Sequence, residues 1–397
     1  MKRNALYIIM CVLAAMWLSC SRHQPVPAVD AVGPGARCVA EINLAAIAKN
    51  AGSGASKIKI PEIEAISRAR GIDFERCVAV SYSPSMSAMV FSIENARLLK
   101  NTIGTTEASD SVATAHRVAD GTYFVADTAW LWLVDSRKGP EGALEKAEAM
   151  RRLGLDSIEG WKKKVLENDT DIRGVAAYGE KFVSFTAGLD NASLYFHAAC
   201  LGRDGEFARW LTSADDWRPL SVEMAKIDPR NRFSLAIGRI RLEEALQSLP
   251  SRLRFSLADA GLEDFAVVGP VNIAANSMSS FRATIETETP DEAARLAAAA
   301  ERQWGRVPGV EVERVDSVVT VYSEADAPAL YGTSYAGCVL VGVLNLPADE
   351  VRKFTGLEGV GMSAIVSMHG STLDGHIGLV GSSDTFLSTL IRIIDRD

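Results

Sequence analysis

Asp169-Thr170-Asp171-Ile172-Arg173-Gly174, with Glu180 twelfth in the count, has the outline of a calcium-binding loop. Carboxylates at positions one, three and twelve, with glycine at six, suit a hard cation wrapped in oxygen. Position five holds Arg173, however, which puts a positive charge where a ligand oxygen is needed. Lys181 to Phe185 then reads as a strand where the motif requires a helix. An ordinary loop between two elements is the expectation. His369 and His376 flank Asp374 and Gly375, and a hairpin there would gather two imidazoles and a carboxylate, a set that holds transition metals. The related segment at His197 has no second histidine beside it, which favours a structural or surface pair. Neither set supports a metal site, and no cofactor is expected.

Trp130 and Trp132 share one face of a strand at a spacing suited to stacking on sugar rings. Leu131 and Leu133 make the other face apolar as well, so core packing is expected, because large aromatics contribute most when buried. Cys38, Cys77, Cys200 and Cys338 all lie in apolar, strand-like segments, without the close spacing of zinc ligands. They read as buried thiols, with one disulfide, Cys38–Cys77, as the alternative in an oxidising compartment. Ser56 and Lys59 have the spacing of a serine–lysine pair. Their stretch is rich in Gly, Ser and Lys and offers no rigid seat for a nucleophile. Gly-x-Ser-x-Gly, His-Glu-x-x-His, phosphate-loop and dinucleotide signatures are all missing from the sequence. No catalytic residue is assigned.

The elements that would position these residues follow a repeated plan, a short apolar strand running into an amphipathic helix. Cys38–Ile42 leads into Leu44–Lys49, Arg232–Ile237 into Leu242–Leu246, and Cys338–Leu344 into Ala348–Lys353 after Pro347. Apolar/polar alternation marks strands at 76–82, 87–93, 121–126, 129–134, 181–187 and 194–201. Strands that arrive in pairs imply antiparallel sheet, and the fold class expected is α+β. Several phrases recur. Gly71-Ile72-Asp73-Phe74 answers to Gly261-Leu262-Glu263-Asp264-Phe265, Arg117–Asp120 to Arg314–Ser317, and His197–Phe207 to His376–Phe386. Two related modules are expected, 36–227 and 228–397, with helical sequence at Ala143–Leu166 inserted in the first.

The first residues carry an address. Lys2 and Arg3 precede an uncharged run from Ala5 to Leu18, about 21 Å as a helix and too short to span a bilayer core of about 30 Å. This is the pattern of a secretory signal, here residues 1–19. It closes on Trp17-Leu18-Ser19-Cys20-Ser21, which resembles a lipobox with Trp17 standing where Leu is usual. Cys20 is therefore the expected lipidation site. Residues 20–35, with Pro25, Pro27, Pro34, Gly33 and Gly35, read as an extended tether of roughly 45 Å.

The chain has 42 Lys+Arg against 50 Asp+Glu, and losing the leader removes two further positive charges. Such a protein is repelled by nucleic acid and by anionic lipid, so its membrane attachment must come from acyl chains. This layout, with phrases such as Cys38-Val39-Ala40-Glu41-Ile42-Asn43-Leu44 and Gly71-Ile72-Asp73-Phe74, resembles the uncharacterised lipoprotein families of Bacteroidetes-type bacteria. That resemblance implies no activity. No acidic cluster follows Cys20 of the kind that marks surface export in those bacteria, so a periplasm-facing, outer-membrane placement is expected. The functional expectation is a non-enzymatic binding or scaffolding protein of the cell envelope, with an envelope protein or glycan as partner. The alternative is a hydrolase of envelope or glycan substrates, its site in the cleft between modules.

Overall fold

A computed structural model describes residues 25–51, 61–154, 158–167, 169–190, 192–209, 219–220, 226–228, 230–241, 267–277, 280–323, 333–334, 337–355, 358–381, 385–386 and 389. The leader, Cys20, Ser56, Lys59, the Gly261–Phe265 phrase and Leu242–Leu246 lie outside these residues.

The first strand runs into a helix as expected, β1 (Cys38–Ile42) into α1 (Leu44–Ala51). After α2 (Pro61–Arg68) come β2 (Cys77–Ser83) and β3 (Met86–Ser92), then α3 (Ala96–Lys100). Next are β4 (Thr106–Ser109), β5 (Thr114–Ala119), β6 (Thr122–Ala126) and β7 (Trp130–Asp135), followed by α4 (Gly139–Leu153) and α5 (Gly160–Val165). β8 (Ile172–Tyr178), β9 (Lys181–Leu189) and β10 (Ser193–Leu201) precede β11 (Lys226–Ile227), β12 (Phe233–Ile237) and β13 (Ile240–Arg241). The remainder is β14 (Val267–Ser277), β15 (Ser280–Thr287), α6 (Pro290–Trp304), β16 (Val310–Val315), β17 (Val318–Ser323), β18 (Thr333–Ser334), β19 (Leu340–Leu346), α7 (Ala348–Thr355), β20 (Gly361–His369) and β21 (Thr372–Val380). The chain is α+β, and the strand pairings within each unit described below are antiparallel.

Contacts divide the described residues into two compact units. One holds those up to Ile42 and from 61 to Glu159; the other holds 43–51 and those from Gly160 onward. In the first unit the strands run β1-β2-β3-β7-β6-β5-β4. Its core includes Val39, Val78, Val90, Phe91, Leu131 and Trp132, and the consecutive pairs Val90/Phe91 and Leu131/Trp132 are buried on both faces of β3 and β7. α4 lies on this sheet through Ala143, Leu144, Ala147 and Met150, the i, i+1, i+4, i+7 stripe of an amphipathic helix. Arg151 and Arg152 in its last turn face the negative end of the helix dipole.

In the second unit the order is β8-β9-β10-β21-β20-β19-β12-β14-β15-β17-β16. β13 extends beside β14, and β11 and β18 form a small separate ladder. α6 begins at a reciprocal capping box between Thr289 and Glu292 and sets Ala293, Leu296 and Ala297 on Val319. The expected division at 227/228 falls inside this unit, where β10 and β21 are hydrogen-bonded neighbours.

Three pairs of hairpins share their registers, two of them across the two units and the third within the second unit. β2–β3 closes on Ser83↔Met86 with a register shift after Ser81, and β14–β15 closes on Ser277↔Ser280 with a shift after Ala275, each 194 positions on. Thr122↔Asp135 of β6–β7 corresponds to Val310↔Ser323 of β16–β17 at 188. Leu189↔Leu194 of β9–β10 corresponds to Met368↔Leu373 of β20–β21 at 179. The Arg117 and Arg314 phrases do not correspond in this way. Arg314 lies in β16, whose register matches β6, whereas Arg117 lies in β5.

Candidate functional site

The second unit carries an open groove of about 470 Å³ on the face of β9, β10, β21 and β20. Side chains two apart on a strand share a face, and the register places four such chains side by side. Tyr195 stands opposite His376, and His197 opposite Asp374. Thr186 flanks His197 from β9, and Ser367 flanks Asp374 from β20.

His197 Nδ1 lies 2.7 Å from Asp374 Oδ1. A carboxylate can only accept, so Nδ1–H donates and Nε2 is left for another partner. The rings of Tyr195 and His376 stack at 4.5 Å between centroids and 22° between planes. His376 Nε2 is buried without a hydrogen-bond partner among the described residues. On the opposite face the Phe196 ring lies over Gly375, where an added Cβ would come within 2.0 Å of it. Any side chain at 375 would force the Phe196 ring to move.

This arrangement offers hydrogen-bond donors and acceptors beside an aromatic stack. Thr186, His197 and Asp374 also stand in the order nucleophile, base and orienting acid. The His197 and Asp374 side chains are 47% and 50% exposed, however. A solvated pair lacks the desolvation that activates a hydroxyl nucleophile.

The residues singled out from sequence fall as follows. Asp171 Oδ2 accepts from Leu189 N–H at 2.9 Å, and β8 begins at the next residue. Glu180 lies beyond the far end of β8, 3.8 Å from Arg203, so roughly 23 Å of strand at about 3.3 Å per residue separates it from Asp169 and Asp171. The calcium outline therefore does not close. His369 sits at the turn end of β20 with its Nε2 3.5 Å from Cys338 Sγ. His376 pairs with Ile365, four residues back along that strand, so the two histidines are about 13 Å apart. Among the described residues, no three His, Cys, Asp or Glu side chains gather as a metal set.

Cys38 pairs with Ser81 and Cys77 with Ile42, at opposite ends of β1 and about 13 Å apart, too far for a disulfide. All four described cysteines are free thiols. Burial raises the pKa of Cys38, Cys200 and Cys338, with Asp374 adding to the effect at Cys338 and Lys181 opposing it at Cys200. Such thiols are poor nucleophiles. Trp132 is buried, its Nε1 directed to Asp127 Oδ2, and Trp130 packs edge-on against it at 6.3 Å. The Trp132 ring is core and offers no face to a sugar.

The residues that sequence reasoning passed over are Tyr195, His197 and Asp374 as a set, with Thr186 and Ser367. Their signal was present as Tyr195-x-His197 and Asp374-x-His376, polar side chains at alternate positions of otherwise apolar strands. Only the β10–β21 pairing shows that the two phrases meet.

A comparison with protein-family models finds no match, and no curated protein matches the chain. Among solved structures, crystal form I of TP0453 is similar at a TM-score of 0.33 and 10% identity, over 47% of this chain and 82% of that one. Crystal form III of TP0453 gives 0.30 and 8%, over 45% and 81%. These likenesses are too slight to assign a fold or a role.

Proposed function

We propose that this chain is a non-enzymatic binding protein of the cell envelope, anchored outside the cytoplasm by lipid on Cys20 and facing the periplasm, and that its groove holds a glycan. The observation behind the glycan is the Tyr195–His376 stack standing beside the His197–Asp374 pair. A sugar ring presents an apolar C–H face and a rim of hydroxyls. The first suits an aromatic ring, and the second suits a carboxylate, an imidazole and the hydroxyls of Thr186 and Ser367. The groove volume lies within the range of about 300–1,000 Å³ usual for small-ligand sites. The acidic balance of the chain disfavours nucleic acid as a partner.

The test is titration calorimetry with soluble oligosaccharides cut from envelope glycan. Tyr195→Ala and Asp374→Asn should each weaken binding by at least about five-fold. Wild-type affinity in both variants, or no binding by the parent chain, would remove the glycan reading. The Thr186–His197–Asp374 order supports a second reading, hydrolysis with His197 as general base. Turnover of the same oligosaccharides, lost in His197→Ala, would establish it in place of simple binding.

The matched hairpin registers support an internal duplication. β1, β2, β3, β6, β7, β9 and β10 correspond to β12, β14, β15, β16, β17, β20 and β21. The offset falls from 194 to 188 and then to 179, so the first copy is the longer, and α4 and α5 lie within its second excess. On this reading His197 and His376 are equivalent positions, and the groove is built where the two copies of one hairpin pair.

A further inference from the structure

We infer that the first unit holds a second binding site, a pocket for a small amphipathic amine. The pocket measures about 380 Å³. Ile93, Leu99, Ile103 and Val112 supply an apolar lining, and Asp110 and Asp127 supply two carboxylates.

Each carboxylate is held by its own turn. Asp110 Oδ1 accepts from Val112 and Ala113 N–H at 2.6 and 2.7 Å. Asp127 Oδ1 accepts from Ala129 and Trp130 N–H, both at 2.7 Å. Two backbone donors fix the direction of each carboxylate, and those from Val112 and Ala113 hold the Asp110 carboxyl below its usual range. Arg151 of α4 acts on Asp110, and Lys100 is exposed at the rim. Among the described residues Asp127 Oδ2 receives a long contact, 3.5 Å, from Trp132 Nε1, which lines the neighbouring cavity. Asp127 lines both spaces and keeps the greater capacity to accept from an ammonium group. His116 also lines the pocket. Its Nδ1–H donates to Gly104 O at 3.2 Å and its Nε2 accepts from Thr114 Oγ1 at 3.0 Å, so it presents an uncharged ring that does not compete for Asp127.

The pocket exists because the first unit departs from the second at one place, a comparison that rests on the duplication and not on the glycan reading. α3 follows its N-cap Asn95, and α6 follows its N-cap Thr289, again 194 positions on. α6 then runs for 15 residues and packs Leu296 and Ala297 onto the sheet. α3 stops after 5 residues, and the hairpin β4–β5, with no counterpart between α6 and β16, takes up the chain. Leu99 from the shortened helix, Ile103 and Thr106 after it, and Val112, Thr114 and His116 of the extra hairpin are among the residues that enclose the space. A helix that covers the sheet in one copy is replaced in the other by walls around a cavity.

The experiment is saturation-transfer NMR and titration of the full chain with hexylammonium, and with hexanoate as the control of opposite charge. Hexylammonium should bind saturably and at least about ten-fold more tightly than hexanoate. Asp127→Asn keeps an oxygen for the two backbone donors and should bring the two probes within about two-fold of each other. Ile103→Trp should abolish binding by filling the cavity. Absence of saturable hexylammonium binding, or the same preference in Asp127→Asn as in the parent, would overturn the proposal. Because Asp127→Asn is read by a ratio of two probes, it remains decisive if Ile103→Trp fails to fold. Oligosaccharide titration at the groove is a separate measurement and stands or falls by itself.

Discussion

A buried imidazole with both nitrogens satisfied makes a measurable prediction. His116 is 4% exposed, and burial holds its pKa below the usual histidine value of 6.5, partly opposed by bonds to the Gly104 and Thr105 backbone. The unfolded chain therefore takes up this proton before the folded one does. The stability that His116 contributes is complete above about pH 6.5 and is lost as the pH falls through the depressed folded value. The melting-temperature advantage of the parent chain over His116→Gln should accordingly shrink between pH 7 and pH 5. An advantage that stays constant over that range would mean that the ring titrates normally. His197 shows the opposite situation, an exposed ring whose direction is set by one carboxylate. Sequence reading weighed His369 and His376 because they lie near one another along the chain, and the fold separates them. It noted Asp374 and His197 separately but not as a pair, because they lie far apart along the chain and only the fold joins them. Chemistry assembled across strands is invisible to spacing, whereas the burial of Trp132, which depends only on its own strand and an apolar opposite face, was readable; Trp130, read as core with it, is only half-buried.

At the scale of elements, the short apolar runs located β2, β3, β6, β7, β9 and β10 to within a residue or two, because each is rich in β-branched, aromatic or aliphatic residues between polar turns. β4 escaped notice. Thr106–Ser109 is mostly exposed, and its short polar sequence carries no alternating signal. Its place in the sheet comes from pairing with β5, not from local preference. Helix starts are better marked. Thr289 Oγ1 accepts from Glu292 N–H at 3.2 Å, and Glu292 Oε2 accepts from Thr289 N–H at 3.1 Å. Thr289→Ala should destabilise α6 by about 1 kcal/mol. Hydrogen exchange of the Ala293–Trp304 amides should then quicken by about five-fold if local opening governs it. Unchanged exchange would show that packing on Val319 alone holds the helix.

For the whole molecule, the proposed anchor is testable by fractionation. Cys20→Ala should move the protein from the membrane fraction to the soluble one if acyl chains are its attachment; full retention in the membrane would exclude lipid on Cys20 as the means of attachment. The broad fold class was legible because strand-into-helix punctuation recurs along the chain. The division into units was not, because it follows which strands pair and not where the repeat restarts. One of those pairings has a consequence in time. His197 and Asp374 are 177 residues apart in the chain, and closing so long a loop must precede any gain from the contact. A chain delivered N-terminus first through a translocation pore can complete β1–β7 while β21 is still inside. The groove is then among the last features to form, and until it does the paired edge of β10 is open to strands of other molecules. On the proposed placement outside the cytoplasm, an intermediate stalled before residue 372 would have a finished β4–β5 pocket, no β10–β21 groove, and an edge in need of a chaperone.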